Sequence, residues 1–208
     1  MREITLSSGR RLLLKPWPVK HFKGTRLPGA ELFRTQEDGV DVSCHIYQNE
    51  LFHLCLWQFS FTRQSSFKIA QGSNRLRMQA LLRGSLEHRS VEEGITKMET
   101  GEYHFSKGFP SEFSMAASFC ELFVLEVGEG LIEQTHLGET LRVCKPRLMP
   151  SAMRDIVFRI LNNPFEEKFR HGFYDFSVRE LLFHHLISGD FAAPGQLSSR
   201  EIAAIHAA

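Results

Sequence analysis

The sequence lacks the features that mark exported, membrane-spanning and disulfide-bonded chains. No apolar run approaches the roughly 20 residues that a membrane span needs, and no signal peptide opens the chain. The four cysteines include no C-x-x-C pair, and three of them lie among apolar or strand-like neighbours, as buried free thiols do. These absences predict a soluble cytoplasmic protein without a membrane partner.

Signatures of nucleotide binding and of nucleophilic catalysis are also missing. There is no G-x-G-x-x-G motif, no P-loop, no G-x-S-x-G motif and no local cysteine motif. The formal net charge of +1 gives no overall electrostatic reason for this chain to bind nucleic acid. We therefore predict a protein that is not an enzyme and needs no cofactor. If DNA is involved, the part that reads it lies elsewhere.

Phenylalanine, by contrast, is abundant, with 18 residues against 3 tyrosines and 2 tryptophans. Such an excess predicts a large apolar interior, alone or together with an apolar pocket or interface. The first 39 residues are rich in arginine and lysine and are interrupted by Pro16, Pro18 and Pro28, which predicts a basic arm with short strands. This arm either contacts DNA phosphates or a partner domain, or is a solvated segment.

Residues 40–127 have the pattern of β-strands. Between Leu51 and Phe61, His53, Cys55, Trp57, Phe59 and Phe61 share one face, while Gln58 and Ser60 lie on the other. Leu76, Met78, Ala80 and Leu82 alternate with polar residues. Further short strands follow at nearly regular spacing, each ended by glycine or a polar pair. This arrangement predicts a sandwich or a barrel.

Residues 128–190 have helical periodicity instead. Apolar residues from Met153 to Leu161 recur on one helical face, between a start at Pro150-Ser151 and a stop at residues 162–164. A second helix is predicted over roughly 165–187. Residues 191–198 form a linker, and a capping box at Ser198–Glu201 begins one more helix, which reaches the last residue.

Two stretches of the helical part, residues 149–165 and residues 173–182 ending in Glu-Leu-Leu, resemble one branch of the AraC family of bacterial transcription regulators. Residues 76–84 and 98–103 are similar to turns of that family's cupin-like sensor barrel. The resemblance implies a cupin-like double-stranded β-helix, or jelly roll, over 40–127, followed by a helical dimerisation segment over 128–190. It also implies a small-molecule effector, a homodimer, and DNA binding through a C-terminal helix-turn-helix domain beyond Ala208.

A sensor barrel of this kind needs residues that line it. The expected set is apolar and aromatic, with Arg77 or Gln79 fixing polar groups near the mouth; its apolar members are Trp57, Phe59, Met78, Tyr103, Phe105, Phe113 and Met115. The alternative is that these side chains simply fill the barrel.

Enzymatic cupins hold a metal with an H-x-H pair, a glutamate and a third histidine, because H-x-H places both imidazoles on one face of a strand. Here His88 is followed two residues later by Ser90, and Glu92 or Glu93 and His104 complete only part of the set. If Tyr103 and Phe105 face inward, alternation sends His104 outward. No metal site is therefore expected, although a stand-alone metal-dependent cupin enzyme, an isomerase or dioxygenase, is the alternative.

The long second helix carries Phe169, Phe173, Phe176 and Phe183. A helix that is apolar over more than one face commonly packs against a second copy of itself, so these residues are predicted to form a dimer interface. They pack only on the barrel in the alternative. A purely structural dimerisation module with a filled barrel is the third possibility.

Overall fold

Apolar side chains that alternate along short segments form most of the chain into strands. The computed structural model describes residues 2–69, 75–90, 94–107, 112–135 and 145–190. Its strands are β1 Arg2–Leu6, β2 Arg11–Pro16, β3 Glu31–Glu37, β4 Val40–Gln48, β5 Phe52–Phe61, β6 Ser65–Ile69, β7 Leu76–Arg83, β8 Ser85–Ser90, β9 Gly94–Glu99, β10 Glu102–Lys107, β11 Glu112–Met115, β12 Phe119–Val127 and β13 Arg147–Leu148. Its helices are α1 Glu129–Thr135, α2 Ser151–Leu161 and α3 Glu167–Asp190.

Eight of the strands are connected as a jelly roll. The first sheet, sheet I, has the order β10-β7-β12-β5, and the second, sheet II, has the order β6-β11-β8-β9. Strands β5 to β12 therefore pass back and forth between the two sheets, and every pairing is antiparallel. This is the connectivity of cupin barrels. The predicted fold class, a cupin-like jelly roll followed by helices, is confirmed.

The N-terminal residues belong to the same two sheets. Strand β1 pairs with β6 of sheet II, and β3 pairs with β4, which continues sheet I beyond β5. Strand β2 pairs with both β1 and β3 and so connects the sheets. The described part of the predicted basic arm is thus hydrogen-bonded to the barrel through its strands, and only the segment between β2 and β3 crosses the surface without strand pairing.

Two apolar cores lie on opposite sides of sheet I. Strand β5 contributes Phe52 and Leu54 to the core between sheet I and the helices, and Trp57 and Phe59 to the core inside the barrel. Because both faces of sheet I are covered, its strands are apolar almost throughout rather than alternately apolar and polar.

Helix α2 covers sheet I with the face that periodicity predicts, burying Met153, Ile156, Val157 and Ile160. Its bounds agree with the predicted start and stop. Helix α3 packs against α2 and begins two residues after the predicted start. None of the helices in the described ranges combines the length and apolar character that crossing a membrane requires. The predicted linker 191–198 and the capped helix after it lie outside the described residues.

Candidate functional site

The eight side chains predicted to line the barrel lie on both sides of sheet I. Those inside the barrel are Trp57, Phe59, Arg77, Phe113 and Met115, and all are buried. Met78, Tyr103 and Phe105 instead belong to the core between sheet I and the helices. These three residues therefore do not line the barrel interior, contrary to the prediction. Hydrophobicity did not distinguish the two faces, because both are buried.

The inward residues of β10 are therefore His104 and Ser106, contrary to the expectation that His104 faces outward. The His104 ring meets that of His88, on β8 of sheet II, with the ring centroids 4.7 Å apart. Both side chains are fully buried. Within the described part of the chain, none of their four ring nitrogens has a hydrogen-bond partner.

Gln79 extends this polar group on the wall of sheet I. It is the register partner of His104, and its Nε2 donates a hydrogen bond to Ser106 Oγ at 3.1 Å. Its Oε1 is buried without a hydrogen-bond partner among the described residues. We call His88, His104 and Gln79 the histidine site. Buried polar atoms are normally hydrogen-bonded, and a set of them left open inside a barrel is typical of a place where a polar molecule binds.

The electrostatics of the histidine site make both imidazoles neutral. Burial lowers the pKa of His88 to about 4. Burial, together with the neighbouring His88, lowers the pKa of His104 to about 3. A neutral imidazole has one N–H donor and one acceptor nitrogen. The histidine site thus presents donors and acceptors without a formal charge.

A buried ion pair joins β7 and β12, where Arg77 and Glu126 are register partners. Arg77 Nε donates to Glu126 Oε1 at 2.9 Å, and His53 Nδ1 lies 3.4 Å from Glu126 Oε2. Burial alone raises the pKa of Glu126, but the hydrogen bond from His53 and the charge of Arg77 outweigh it and keep this pKa below its ordinary value. The charge of Arg77 is therefore paired with the carboxylate of Glu126, so Arg77 has a structural role in addition to lining the barrel.

The described residues of the histidine site supply too few ligands for a cupin metal centre. A catalytic zinc site uses three protein ligands, and the described residues contain no group of three histidine, cysteine, aspartate or glutamate side chains that could hold an ion. His88 and His104 supply two. Glu92 and Glu93, the predicted further candidates, lie outside the described residues. The described residues alone therefore do not fit a three-ligand metal centre.

Directly behind the histidine site, the outward residues of β10 contact α3. The Phe105 ring lies 4.0 Å from the His185 ring, centroid to centroid, and Tyr103 Oη lies 3.3 Å from His185 Nδ1. Arg147 of β13 donates to Tyr103 Oη through its Nε at 3.0 Å. Burial and the nearby Arg147 charge lower the pKa of His185 to about 4.

Three of the four residues predicted at a dimer interface are exposed on α3. Phe169, Phe176 and Phe183 are 58%, 62% and 58% exposed, and their spacing of seven residues aligns them along the helix. We call them the phenylalanine stripe. Phe173 is partly buried instead, because it packs against the core beneath the helices and against Phe165.

No protein-family model and no curated protein matches the sequence. Among solved structures, it is similar to the AraC-like transcriptional activator CuxR, with a TM-score of 0.50 and 10% identity over 73% of this chain and 60% of that one. A cupin superfamily protein from Desulfitobacterium hafniense matches with a TM-score of 0.36 and 10% identity over 56% of this chain and 99% of that one. The chain thus shares its fold with an AraC-like activator and spans less than two thirds of that activator's length.

Proposed function

Because the chain has the fold of an AraC-like activator, we propose that it is the effector-sensing and dimerisation part of an AraC-type transcription regulator. It binds a small molecule inside its barrel and makes no covalent change to it. DNA is read by a helix-turn-helix domain that follows Ala208, and the chain acts on transcription by controlling how two such domains are presented.

The observation that carries this proposal is the open hydrogen-bonding capacity of the histidine site. The ring nitrogens of His88 and His104 and the Oε1 of Gln79 have no hydrogen-bond partner among the described residues. Leaving such groups unpaired costs on the order of 1–3 kcal/mol each. A polar, uncharged effector that hydrogen-bonds to them removes this cost. Trp57 and Phe59, which stack with ring centroids 5.7 Å apart inside the same barrel, provide an apolar wall beside it.

Strand β10 supplies the route from the effector to the helices. His104 contacts the effector on the inner face, while Tyr103 and Phe105 contact His185 on the outer face. Tyr103 and Phe105 are the chain neighbours of His104. A shift of β10 on effector binding therefore changes their contacts with α3. Helix α3 runs on to Asp190, where the predicted linker begins.

The phenylalanine stripe supports a two-fold dimer in which α3 packs against its copy. Its three rings are too exposed to contribute much to the core of a monomer. Covering them with the same stripe of a second chain removes apolar area from water on both sides of a self-complementary interface. Helix α3 thereby contacts the barrel, forms the dimer interface and leads into the linker.

Thermal-shift screening of a library of uncharged polar metabolites tests the sensor. We expect a subset of compounds to raise the melting temperature of the wild-type chain and to leave that of His104→Leu unchanged. The matched control is His171→Leu, which alters an exposed histidine on α3 and retains the response. Compounds that stabilise wild type and His104→Leu equally would place binding outside the barrel and contradict the proposal.

A further inference from the structure

A second cavity lies outside the barrel, on the outer face of sheet I. Residues 21–25, which cross the surface between β2 and β3, form one side, and strands β4, β5 and β12 form the floor. The cavity has a volume of about 410 Å³, within the range of small-molecule sites. Gln58 Nε2 donates to the carbonyl oxygen of Thr25 at 3.1 Å, and the Phe22 ring packs on His45 with centroids 4.9 Å apart. These contacts hold the crossing segment in place over the floor.

A buried carboxylate lies in the floor of this cleft. Glu121 is 4% exposed, and its Oε1 accepts a hydrogen bond from Gln58 Nε2 at 2.6 Å. Ser43 donates to the amide oxygen of Gln58 at 3.0 Å, so the amide is held in the orientation that directs its NH₂ to Glu121. No lysine, arginine or histidine within the described ranges forms an ion pair with Glu121.

A guanidinium stands beside this carboxylate without pairing with it. Arg83 is the cross-strand neighbour of Glu121, where a β-bulge separates Glu121 from Leu122. The guanidinium carbon of Arg83 lies 5.8 Å from the centroid of the Phe119 ring. Gln58 hydrogen-bonds to the carboxylate of Glu121, and the guanidinium of Arg83 lies over the Phe119 ring. Two opposite charges therefore lie on neighbouring strands, and each interacts with a different residue.

Glu121 and Arg83 are the main electrostatic feature of the cleft, because two of the other charges pair with each other. Arg34 forms a two-point ion pair with Asp41, in which Nε and Nη2 lie 2.9 Å and 2.5 Å from the two carboxylate oxygens. That pair neutralises itself. Lys23 of the crossing segment adds a cation that has no ion pair within the described residues, and Phe22 and Phe119 provide aromatic surface.

We propose that this cleft binds a small zwitterion with a planar apolar group, of which an aromatic α-amino acid is the simplest form. Its ammonium group binds Glu121, its carboxylate binds Arg83 and Lys23, and its ring lies against Phe119 and Phe22. An α-amino acid carries its ammonium and carboxylate groups on the same carbon atom, so the two charges lie close together, as do the cross-strand partners Glu121 and Arg83. Hydrogen bonds to charged groups in a partly enclosed site are the strong ones.

Isothermal titration calorimetry with three related probes tests the charge requirement. L-tryptophan carries both charges, tryptamine lacks the carboxylate, and indole-3-propionate lacks the ammonium group. We expect L-tryptophan to bind and each of the other two to bind at least about tenfold more weakly, because each leaves one charge of the cleft unpaired. Equal affinities for the three probes, or no detectable binding of L-tryptophan at millimolar concentration, would overturn the proposal.

Variants then locate the binding. Arg83→Gln changes an exposed side chain, so the fold is retained, and we expect L-tryptophan affinity to fall at least about tenfold; Glu121→Gln has the same expected effect. The matched controls are Lys68→Gln and Glu87→Gln, exposed charges on sheet II, and both retain wild-type affinity. If Arg83→Gln binds L-tryptophan as wild type does while His104→Leu loses it, the amino acid binds inside the barrel. That result overturns the cleft and leaves the proposed sensor intact.

Discussion

His88 and His104 come from opposite sheets and meet inside the barrel, their ring centroids 4.7 Å apart and their planes inclined by 40°. No described residue hydrogen-bonds to either ring. Aromatic or aliphatic side chains at both positions would continue the apolar interior and would leave no buried polar atom without a hydrogen-bond partner. The pair is therefore a position where the interior gives up stability and is suited to holding a polar molecule.

Replacing one of these rings by an apolar side chain gives a first prediction. We expect His104→Leu to leave the free energy of unfolding at pH 7 unchanged or to raise it by about 1 kcal/mol, because it removes buried polar atoms that lack partners. Urea denaturation followed by circular dichroism measures the effect, with His21→Leu as the exposed control. A loss of several kcal/mol would mean that His104 makes hydrogen bonds essential to the fold.

Stability should depend on pH through the buried histidines. Burial lowers the pKa of His45, His88 and His185 to about 4 and that of His104 to about 3, from 6.5 in the unfolded chain. The unfolded chain therefore takes up protons at a pH where the folded chain does not. Their contribution to the free energy of unfolding is complete above pH 6.5 and is lost as the pH falls through 6.5 towards the folded pKa values near 4.

Urea midpoints measured between about pH 7.5 and about pH 4.5 test this dependence. We expect little change above about pH 6.5 and a steady fall below it, and a shallower fall for His104→Leu, which removes one of the four groups. The same midpoint across the range, or an unaltered slope in His104→Leu, would show that these histidines are protonated in the folded chain as they are in the unfolded one.

The buried ion pair predicts a strongly non-additive pair of substitutions. Arg77→Met leaves the Glu126 carboxylate buried without its cation, and we expect a loss of about 3–5 kcal/mol in the free energy of unfolding. The double variant Arg77→Met/Glu126→Leu removes both charges and should be more stable than Arg77→Met alone. A double-mutant cycle by urea denaturation measures the coupling, and simple additivity would contradict a direct interaction between the two side chains.

The phenylalanine stripe predicts the oligomeric state. Wild type should sediment as a dimer, and Phe176→Glu, which puts a charge at the middle of the stripe, as a monomer with an unchanged fold. Ile95→Glu is the matched control, because Ile95 is 65% exposed on β9, far along the chain from α3. A monomeric wild type, or a Phe176→Glu variant that remains dimeric, would exclude the stripe as the interface.

Two glycines with positive φ provide a matched test of the strand geometry beside the cleft. Gly84 has φ +91°, and a Cβ there would lie 2.5 Å from the carbonyl oxygen of Phe119; Gly94 has φ +74° and no neighbour within 4 Å. We expect Gly94→Ala to cost about 1 kcal/mol and Gly84→Ala clearly more, because only the second adds a collision with backbone. Equal costs in thermal or urea unfolding would mean that the β-bulge at Glu121 adapts freely.

Much of the fold could be predicted from local pattern. The alternation along β5 and β7 and the periodicity of Met153, Ile156, Val157 and Ile160 are strong local signals, and the structure confirms those strands and α2 to within a residue or two. Strand β6, Ser65–Ile69, was not predicted, because it is short and only Phe67 and Ile69 are buried.

The arrangement of the site could not be predicted in the same way. On β10, Tyr103 and Phe105 alternate with His104, but both faces of the strand are buried, so hydrophobicity does not tell which set enters the barrel. The polar partners give the signal that could have decided it, since Arg77 and Glu126 must face each other. The cleft at Glu121 depends on a segment from another part of the sequence crossing the sheet, and no local pattern encodes that crossing.

Native mass spectrometry of purified wild type, beside the same sample denatured and beside His104→Leu, measures assembly and cargo together. A dimer that carries a small organic molecule, releases it on denaturation and lacks it in His104→Leu is the result expected of a sensor. A monomer that holds one transition-metal ion per chain would contradict the sensor and favour a metal-dependent cupin enzyme instead.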